Sequence, residues 1–338
     1  MAMKTGKLSA RWAVVLGLLP VAVGIVCIGI GRVNLSPAEV FGAVWGSVTG
    51  NPQVPVLTQM TVFNLRLPRL LLAALAGAGL SVAGCAFQSL FANPLATPDT
   101  LGVASGAGFG AALGLLLGLP LPGIQLMALA MGAVAVALTW LAGSGKSRGM
   151  STIVLAGIMM GSLFTALVSL VKFVADEESQ LPAITYWLMG GLNNAAWETL
   201  ALGAPAVIVG ILTLYLIRWR LNLLPLSEDE ARASGVNIPV LRGITVVCAT
   251  LITASCVSMC GQVGWVGLLI PHMCRMKFGS NHLSLIPASV SLGAAFLMIV
   301  DTVARSATAQ EIPVSILTAI IGAPFFIILM RKTGGWSL

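Results

Sequence analysis

Charge is what this 338-residue sequence has least of. Lys, Arg, Asp and Glu together make up 9% of it, against 57% hydrophobic residues, and the mean hydropathy is +0.98. A soluble domain is about a quarter charged. A chain this poor in charge does not coat a water-facing globule, so the bilayer is its expected solvent. Histidine is scarce as well: His272 and His282 are the only two, and they lack the helical i, i+4 spacing of a zinc-protease pair. Acidic residues number eleven and are nearly absent from the apolar runs, so no proton-relay chain is visible. Tyrosine occurs twice, and no basic run is interleaved with aromatics. The net charge of +7 is therefore read as a topology signal and not as a nucleic-acid footprint. The six cysteines, Cys27, Cys85, Cys248, Cys256, Cys260 and Cys274, form no CxxC pair. Cys256 and Cys260 share one helical face at their spacing, which fits soft-metal ligation or packing. Free cysteine behaves as a small hydrophobe, and packing is the expected role.

What is present is a succession of apolar runs. A helix needs roughly 20 apolar residues to cross about 30 Å of hydrocarbon. Ten runs approach this, at about 13–30, 68–91, 101–119, 122–142, 152–174, 199–217, 241–259, 262–277, 284–303 and 312–330. The first follows a basic N-terminus, MAMKTGKLSARW. It is long for a signal-peptide core and lacks a clean small-x-small cleavage site, so a retained span is expected. The eighth, QVGWVGLLIPHMCRMK, is short and broken by Pro271. Such a segment is tolerated in a membrane only where protein or a watery cavity covers its freed backbone groups. With ten spans both termini share one side. If that side is the cytoplasm it collects thirteen of the eighteen Lys and Arg residues, leaving Arg32, Arg66, Arg69, Lys172 and Arg305 outside. The bias predicts cytoplasmic N- and C-termini.

Glycine is patterned. Gly106, Gly110, Gly114 and Gly118 recur every four residues, and Gly157 and Gly161 repeat the interval. In lipid this spacing makes a smooth helix face on which backbones pack closely. One stretch, LAGSGKSRGMS from Leu141 to Ser151, contains the Gly-Lys-Ser that ends a phosphate-binding loop. The loop's first glycine is replaced by Trp140, and the residues before it read as a membrane helix where a buried strand is required. The stretch is expected to be a basic cytoplasmic turn, and the chain is expected to hold no nucleotide, no metal and no catalytic group.

Several stretches converge on a family. They are LRLPRLLLAALAGAGLSVAGCAFQSLFANPLATPDTLGVASGAGFGA (Leu65 to Ala111), YWLMGGLNNAAW (Tyr186 to Trp197), VGWVGLLIPHMCR (Val263 to Arg275), DTVAR from Asp301 and EIPVSILTAIIGAPFFIILM from Glu311. In this order they closely resemble the permease subunit of ABC importers for iron–siderophore complexes, haem and vitamin B12, the type II importers. The resemblance covers nearly all the chain after about residue 60. It implies an all-α membrane fold of about ten transmembrane helices, forming one permease domain over residues 1–338. It also implies a homodimer in the inner membrane, two ATP-binding cassette subunits that carry ATP and Mg, and an extracytoplasmic substrate-binding protein.

The resemblance also assigns residues. Arg66 and Arg69 of LRLPR, and Arg305 of D-x-x-A-R, match arginines that meet glutamates of the binding protein; the alternative role is to neutralise Asp301 or Glu311 or to anchor span ends. The stretch 221–237, LNLLPLSEDEARASGVN, matches the coupling loop that contacts the ATPases, through Leu226, Ser227, Glu228, Asp229, Glu230, Ala231 and Gly235. Ser227 and Glu230 stand at capping-box spacing, and Gly235 is placed to end the short helix. Ser151 and Thr152 match a polar constriction at the cytoplasmic gate. Trp265 and Cys260 depart from the family, which has smaller or phenylalanine-like residues there. An iron chelate, haem or corrinoid is the implied cargo. An oxyanion or another metal chelate on the same fold, and a proton-coupled secondary transporter, are the alternatives.

Overall fold

The computed structural model describes residues 6, 8–31, 34–50, 54–143, 150–226, 230, 233–308 and 310–332. Regular structure among them is helical, with no strand. A helix occupies each of the ten apolar runs: α1 (Ala10–Gly29), α3 (Val56–Leu90), α4 (Val103–Leu116), α5 (Leu121–Gly143), α6 (Met150–Val174), α8 (Trp197–Leu216), α9 (Ile238–Cys260), α10 (Val266–Phe278), α11 (His282–Ser306) and α12 (Val314–Lys332). Seven of these, α1, α3, α5, α6, α8, α9 and α11, are long and apolar enough to cross a membrane; α4 is a shorter apolar helix, as is the Val314–Ile328 part of α12. The shortness of α10, 13 residues with Pro271 inside, follows from its broken sequence. Two further helices were not evident in the apolar runs. One is α2 (Pro37–Thr49), started by a capping box in which Ser36 and Glu39 exchange hydrogen bonds. The other is α7 (Gln180–Leu188).

The core is built around α3. Every residue of α3 from Ala76 to Leu90 is buried, and α9 and α11 pack along it. Two glycines, seven residues and so about two turns apart, explain how the helices approach. A β-carbon on Gly77 would collide with the Gly293 carbonyl of α11, and one on Gly84 with the Gly267 carbonyl of α10. These are backbone-to-backbone crossings of the kind that small residues permit in lipid. The glycine row also acts as expected: Gly106, Gly110 and Gly114 pack against α5, while Gly118 turns the chain with φ +65°. The helices at the periphery present Val14, Leu18, Val21 and Ile25 of α1, and Met159, Leu163, Leu170 and Phe173 of α6, on their exposed faces. All six cysteines are buried and unpaired with one another, in keeping with packing.

Replacing Gly84 by Val is expected to abolish the folded, monodisperse protein in detergent, because the obstacle is backbone that no rotamer change can move. Gly243→Val serves as the control, since nothing lies within 4 Å of a β-carbon there. Size-exclusion profiles of the two variants compare them directly, and equal behaviour would contradict the crossing.

Candidate functional site

Three places in the bundle gather chemistry. The first is an arginine cluster at the end where α1 finishes. An α-helix leaves its last four carbonyls without intrahelical donors, and in α1 these include Cys27, Ile28 and Gly29. Arg66 donates from Nη1 to the Ile28 carbonyl at 2.7 Å and the Gly29 carbonyl at 3.0 Å. Arg305 donates from Nη2 to the Cys27 carbonyl at 2.6 Å. Both side chains are buried. Arg69 forks onto Asp301, with Nε at 3.0 Å from each oxygen and Nη2 at 2.8 Å from Oδ1. Its Nη1 lies 2.9 Å from Glu311, and Arg305 Nε lies 3.9 Å from Asp301 Oδ2.

The structure thus brings together all three arginines singled out in the sequence, and it realises both of their alternative roles. Arg66 and Arg305 anchor the end of α1; Arg69 neutralises Asp301 and Glu311. Among the described residues the cluster sets three cations against two anions, a net positive charge. It lines a cavity of about 500 Å³ together with Thr58, Thr61 and Asn193. Arg32 lies outside the described residues.

Breaking a buried ion pair by removing one partner costs about 3–5 kcal/mol. Arg69→Met is expected to lose stability of that order in denaturant unfolding in micelles. Adding Asp301→Leu is expected to recover part of the loss, because the uncompensated carboxylate goes with it. A double variant no more stable than the single one would contradict the pairing.

The second place is a cavity of about 410 Å³ in the middle of the bundle, bordered by Leu80 of α3, Thr253 and Val257 of α9, and Ser315 and Ala319 of α12. Two interrupted connections complete its wall. One joins Leu90 to Val103, contains a single 3-10 turn at Pro98–Leu101, and contributes Thr97 and Asp99. This connection runs deep. Gly102 lies against Gly161, eleven residues along α6, or about 16 Å from that helix's start at 1.5 Å per residue. The other joins Cys260 to Val266 and contributes Gln262, Val263, Gly264 and Trp265.

The polar side chains of the wall are committed to the fold. Asp99 accepts from the Ser105 amide at 3.2 Å and so caps α4. Gln262 donates to the Ala104 carbonyl at 3.1 Å. Thr253 donates to the Ala249 carbonyl at 2.8 Å, Ser315 donates to the Met189 carbonyl, and Thr97 closes a capping box with Thr100. Among the described residues no cluster of three or more His, Cys, Asp or Glu is placed to hold a metal.

The third place is the opposite end of the bundle. A helical turn at Arg218–Leu221 leads to Asn222, whose Oδ1 accepts from the His282 amide at 3.0 Å and lies 2.8 Å from His282 Nδ1. Asn222 Nδ2 donates to Asn281 Oδ1 at 3.2 Å and to the Trp219 carbonyl at 3.1 Å. Ser89 at the end of α3 donates to the Leu221 carbonyl at 2.6 Å. The segment entering the expected coupling loop is therefore tied to α3 and α11. Of that loop, Leu226 is exposed, Ser234 donates to the Glu230 carbonyl at 3.3 Å, and Gly235 has φ +72°, as a helix-ending glycine requires. Ser227, Glu228, Asp229 and Ala231, and with them the Ser227 cap, lie outside the described residues. Ser151 and Thr152 occupy the first turn of α6 and are not part of the central cavity's wall. Lys146 of the Gly-Lys-Ser stretch also lies outside the described residues, but the segment before it, α5, is helix and not the strand a phosphate loop needs.

Sequence reading weighed His282 only against a zinc site and gave no role to Asn222 or Asp99. Asn281 ahead of α11 was the one available signal, since asparagine favours helix caps.

Comparison with known proteins gives a consistent picture. The family model described as the FecCD transport family matches residues 18–332. The chain is 40% identical over 318 residues to the molybdate import system permease protein MolB of Haemophilus influenzae, covering 94% of each chain. It is 38% identical over 281 residues to the cobalamin import system permease protein BtuC of Halobacterium salinarum, covering 82% of this chain and 75% of that one. A solved inward-facing structure of an ABC transporter assigned to the metal-chelate type superposes with a TM-score of 0.87 at 38% identity, covering 96% of this chain and 100% of that one.

Proposed function

The chain belongs to the FecCD transport family of ABC importer permeases, and from that premise we propose that it forms the translocation pathway for a metal-bearing solute handed over by a binding protein. The observation that carries this reading is the convergence of two interrupted connections on a cavity deep among the spans. Irregular backbone at membrane depth is stable only when it is buried in protein or lines a watery space. A pathway supplies that space.

In this reading the chain is one permease domain that acts as a homodimer in the cytoplasmic membrane. Two ATP-binding cassette subunits, which hold ATP and Mg, engage the 221–237 loop. The chain itself catalyses no reaction. Both termini and the Asn222 end face the cytoplasm, the side that the bias of thirteen Lys and Arg to five supports. The Arg66 end faces outward and receives the binding protein. Ser151 and Thr152 stand at the cytoplasmic end of α6, where a gate narrows the exit. The cargo is an iron–siderophore complex, haem or a cobalamin. A second cargo class, a metal oxyanion, is favoured by the 40% identity to a molybdate permease across 94% of both chains.

Reconstitution in liposomes with the partner ATPases and binding protein tests this. Labelled molybdate, a ferric siderophore and cobalamin serve as probes. Uptake of one of them is expected to require ATP and all partners and to survive an uncoupler. Uptake by the chain alone, driven by a proton gradient, would replace the ABC mechanism with a secondary transporter.

Docking is expected to act through the net charge of the arginine cluster, which governs encounter more than affinity. Arg66→Gln keeps a donor for the α1 carbonyls and removes the charge. It is expected to slow binding-protein association several-fold, with little change in dissociation and a weaker salt dependence. Surface-plasmon kinetics at two ionic strengths read this out, and an unchanged association rate would remove Arg66 from the docking surface.

A further inference from the structure

Trp265 holds a backbone conformation that its side chain disfavours. Its φ is +68° and its ψ −31°. The Val266 amide donates to the Gly264 carbonyl at 2.9 Å, so Trp265 is the central residue of a γ-turn of the rarer, strained hand. Among the described residues only Ala92 is another non-glycine with positive φ. A bulky residue in this region persists only when its surroundings over-determine it, and such positions cluster at clamps and switches.

The surroundings are specific. The Trp265 carbonyl accepts from Leu268 at 3.1 Å and Leu269 at 2.7 Å, which fixes the start of α10. The indole rests on Gly322 of α12: a β-carbon there would lie 2.5 Å from Cε3 and 2.7 Å from Cδ2. Its ring centroid is 6.5 Å from that of Phe326, one turn further along α12. Between these two contacts stands Pro324, which interrupts the α12 hydrogen-bond ladder. The same indole borders the central cavity. A strained turn, a bare glycine seat and a weakened helix therefore meet at one side chain on the wall of the cavity.

We infer that Trp265 is a shutter on the transport pathway, seated on Gly322 when closed and released when α10 and α12 part. This rests on the reading of the cavity as part of the pathway. The strain makes release easy, because leaving the seat lets the turn relax. Glycine at 322 makes closure possible, because any side chain there would lift the ring.

The test uses the full chain in detergent or nanodiscs, with Ala319→Cys on the cavity wall and a small cationic methanethiosulfonate as probe. The native cysteines are buried and supply the background rate. Trp265→Gly removes the ring and tolerates positive φ; it is expected to speed labelling roughly tenfold, with a thermal midpoint above that of Trp265→Ala. Gly322→Ala alone is expected to speed labelling comparably by unseating the ring. In the Trp265→Gly background it is expected to add nothing, because the ring it displaces is gone; this is the non-additivity of a direct contact. If Gly322→Ala alone fails to fold, recovery of folding in the double variant reports the same contact. Unchanged labelling in a folded Trp265→Gly variant, or additive effects of the two changes, would overturn the inference. Labelling of the isolated chain needs neither ATP nor cargo, so a failed transport assay leaves this result standing and tells the two readings apart.

Discussion

Everything in this bundle answers to one constraint: in hydrocarbon a backbone amide or carbonyl finds no water, so each must be satisfied by protein. Where a helix runs unbroken the requirement meets itself. Where a helix stops inside the bundle, a side chain has to be supplied, and the few polar residues of this chain stand at those places. The α1 carbonyls receive Arg66 and Arg305. The exposed amides at the start of α4 receive Asp99, and the Gly267 carbonyl receives Gln88 at 3.2 Å. A chain with 9% charged residues has few to place elsewhere.

The same constraint explains why the buried charges come as a set. An isolated arginine at the end of α1 would cap carbonyls but leave a naked cation in a low dielectric. Asp301, four residues before Arg305 on α11, lies within reach of it, and Arg69 then bridges Asp301 to Glu311. The cluster joins α1, α3, α11 and the segment before α12 through hydrogen bonds whose geometry is directional. The greasy faces of these helices supply no such direction, since lipid tails are as apolar as leucine. Position along the bundle is therefore set by ends and crossings: arginines at one end, the Asn222–His282 hub at the other, and Gly77 and Gly84 between.

Much of this was legible in the sequence. The ten helical stretches could be read because apolar length is a one-dimensional property, and α10 was marked as exceptional by Pro271. The glycine row declared its packing role because a period of four survives folding unchanged. The three arginines were found by motif and by their scarcity, yet the direction in which they point was not legible: whether a cation faces water or a carbonyl depends on where α1 ends relative to α3, a distance of 38 residues in the chain. The pairing of Asn222 with His282 was illegible for a related reason, the two being sixty residues apart. The helices α2 and α7 are too short and too mixed in composition to register as apolar runs. Trp265 stood out only as a departure from the family's smaller or phenylalanine-like residue, and nothing in the sequence signalled its backbone conformation. Positive φ is signalled in sequence by glycine or asparagine, and a tryptophan there is held by Gly322, a partner that no local pattern connects to it.

The character of the central cavity follows from the same accounting of backbone groups. Thr97, Asp99, Thr253, Gln262 and Ser315 all face it, and each has its hydrogen bond already directed at the protein's own chain. Thr97, Asp99 and Gln262 help to hold the interrupted connections in place, Thr253 bonds within α9 and Ser315 reaches Met189, and fewer of their donors and acceptors are left for a solute. Weak contact is what passage requires, because a pathway that binds its cargo tightly does not release it. On the function proposed above, discrimination then rests before entry, with the partner that delivers the cargo, and the wall contributes size and timing. A bulky ring on a strained hinge suits that division of labour: it changes the width of the cavity while bringing only one polar atom, the indole Nε1–H donor.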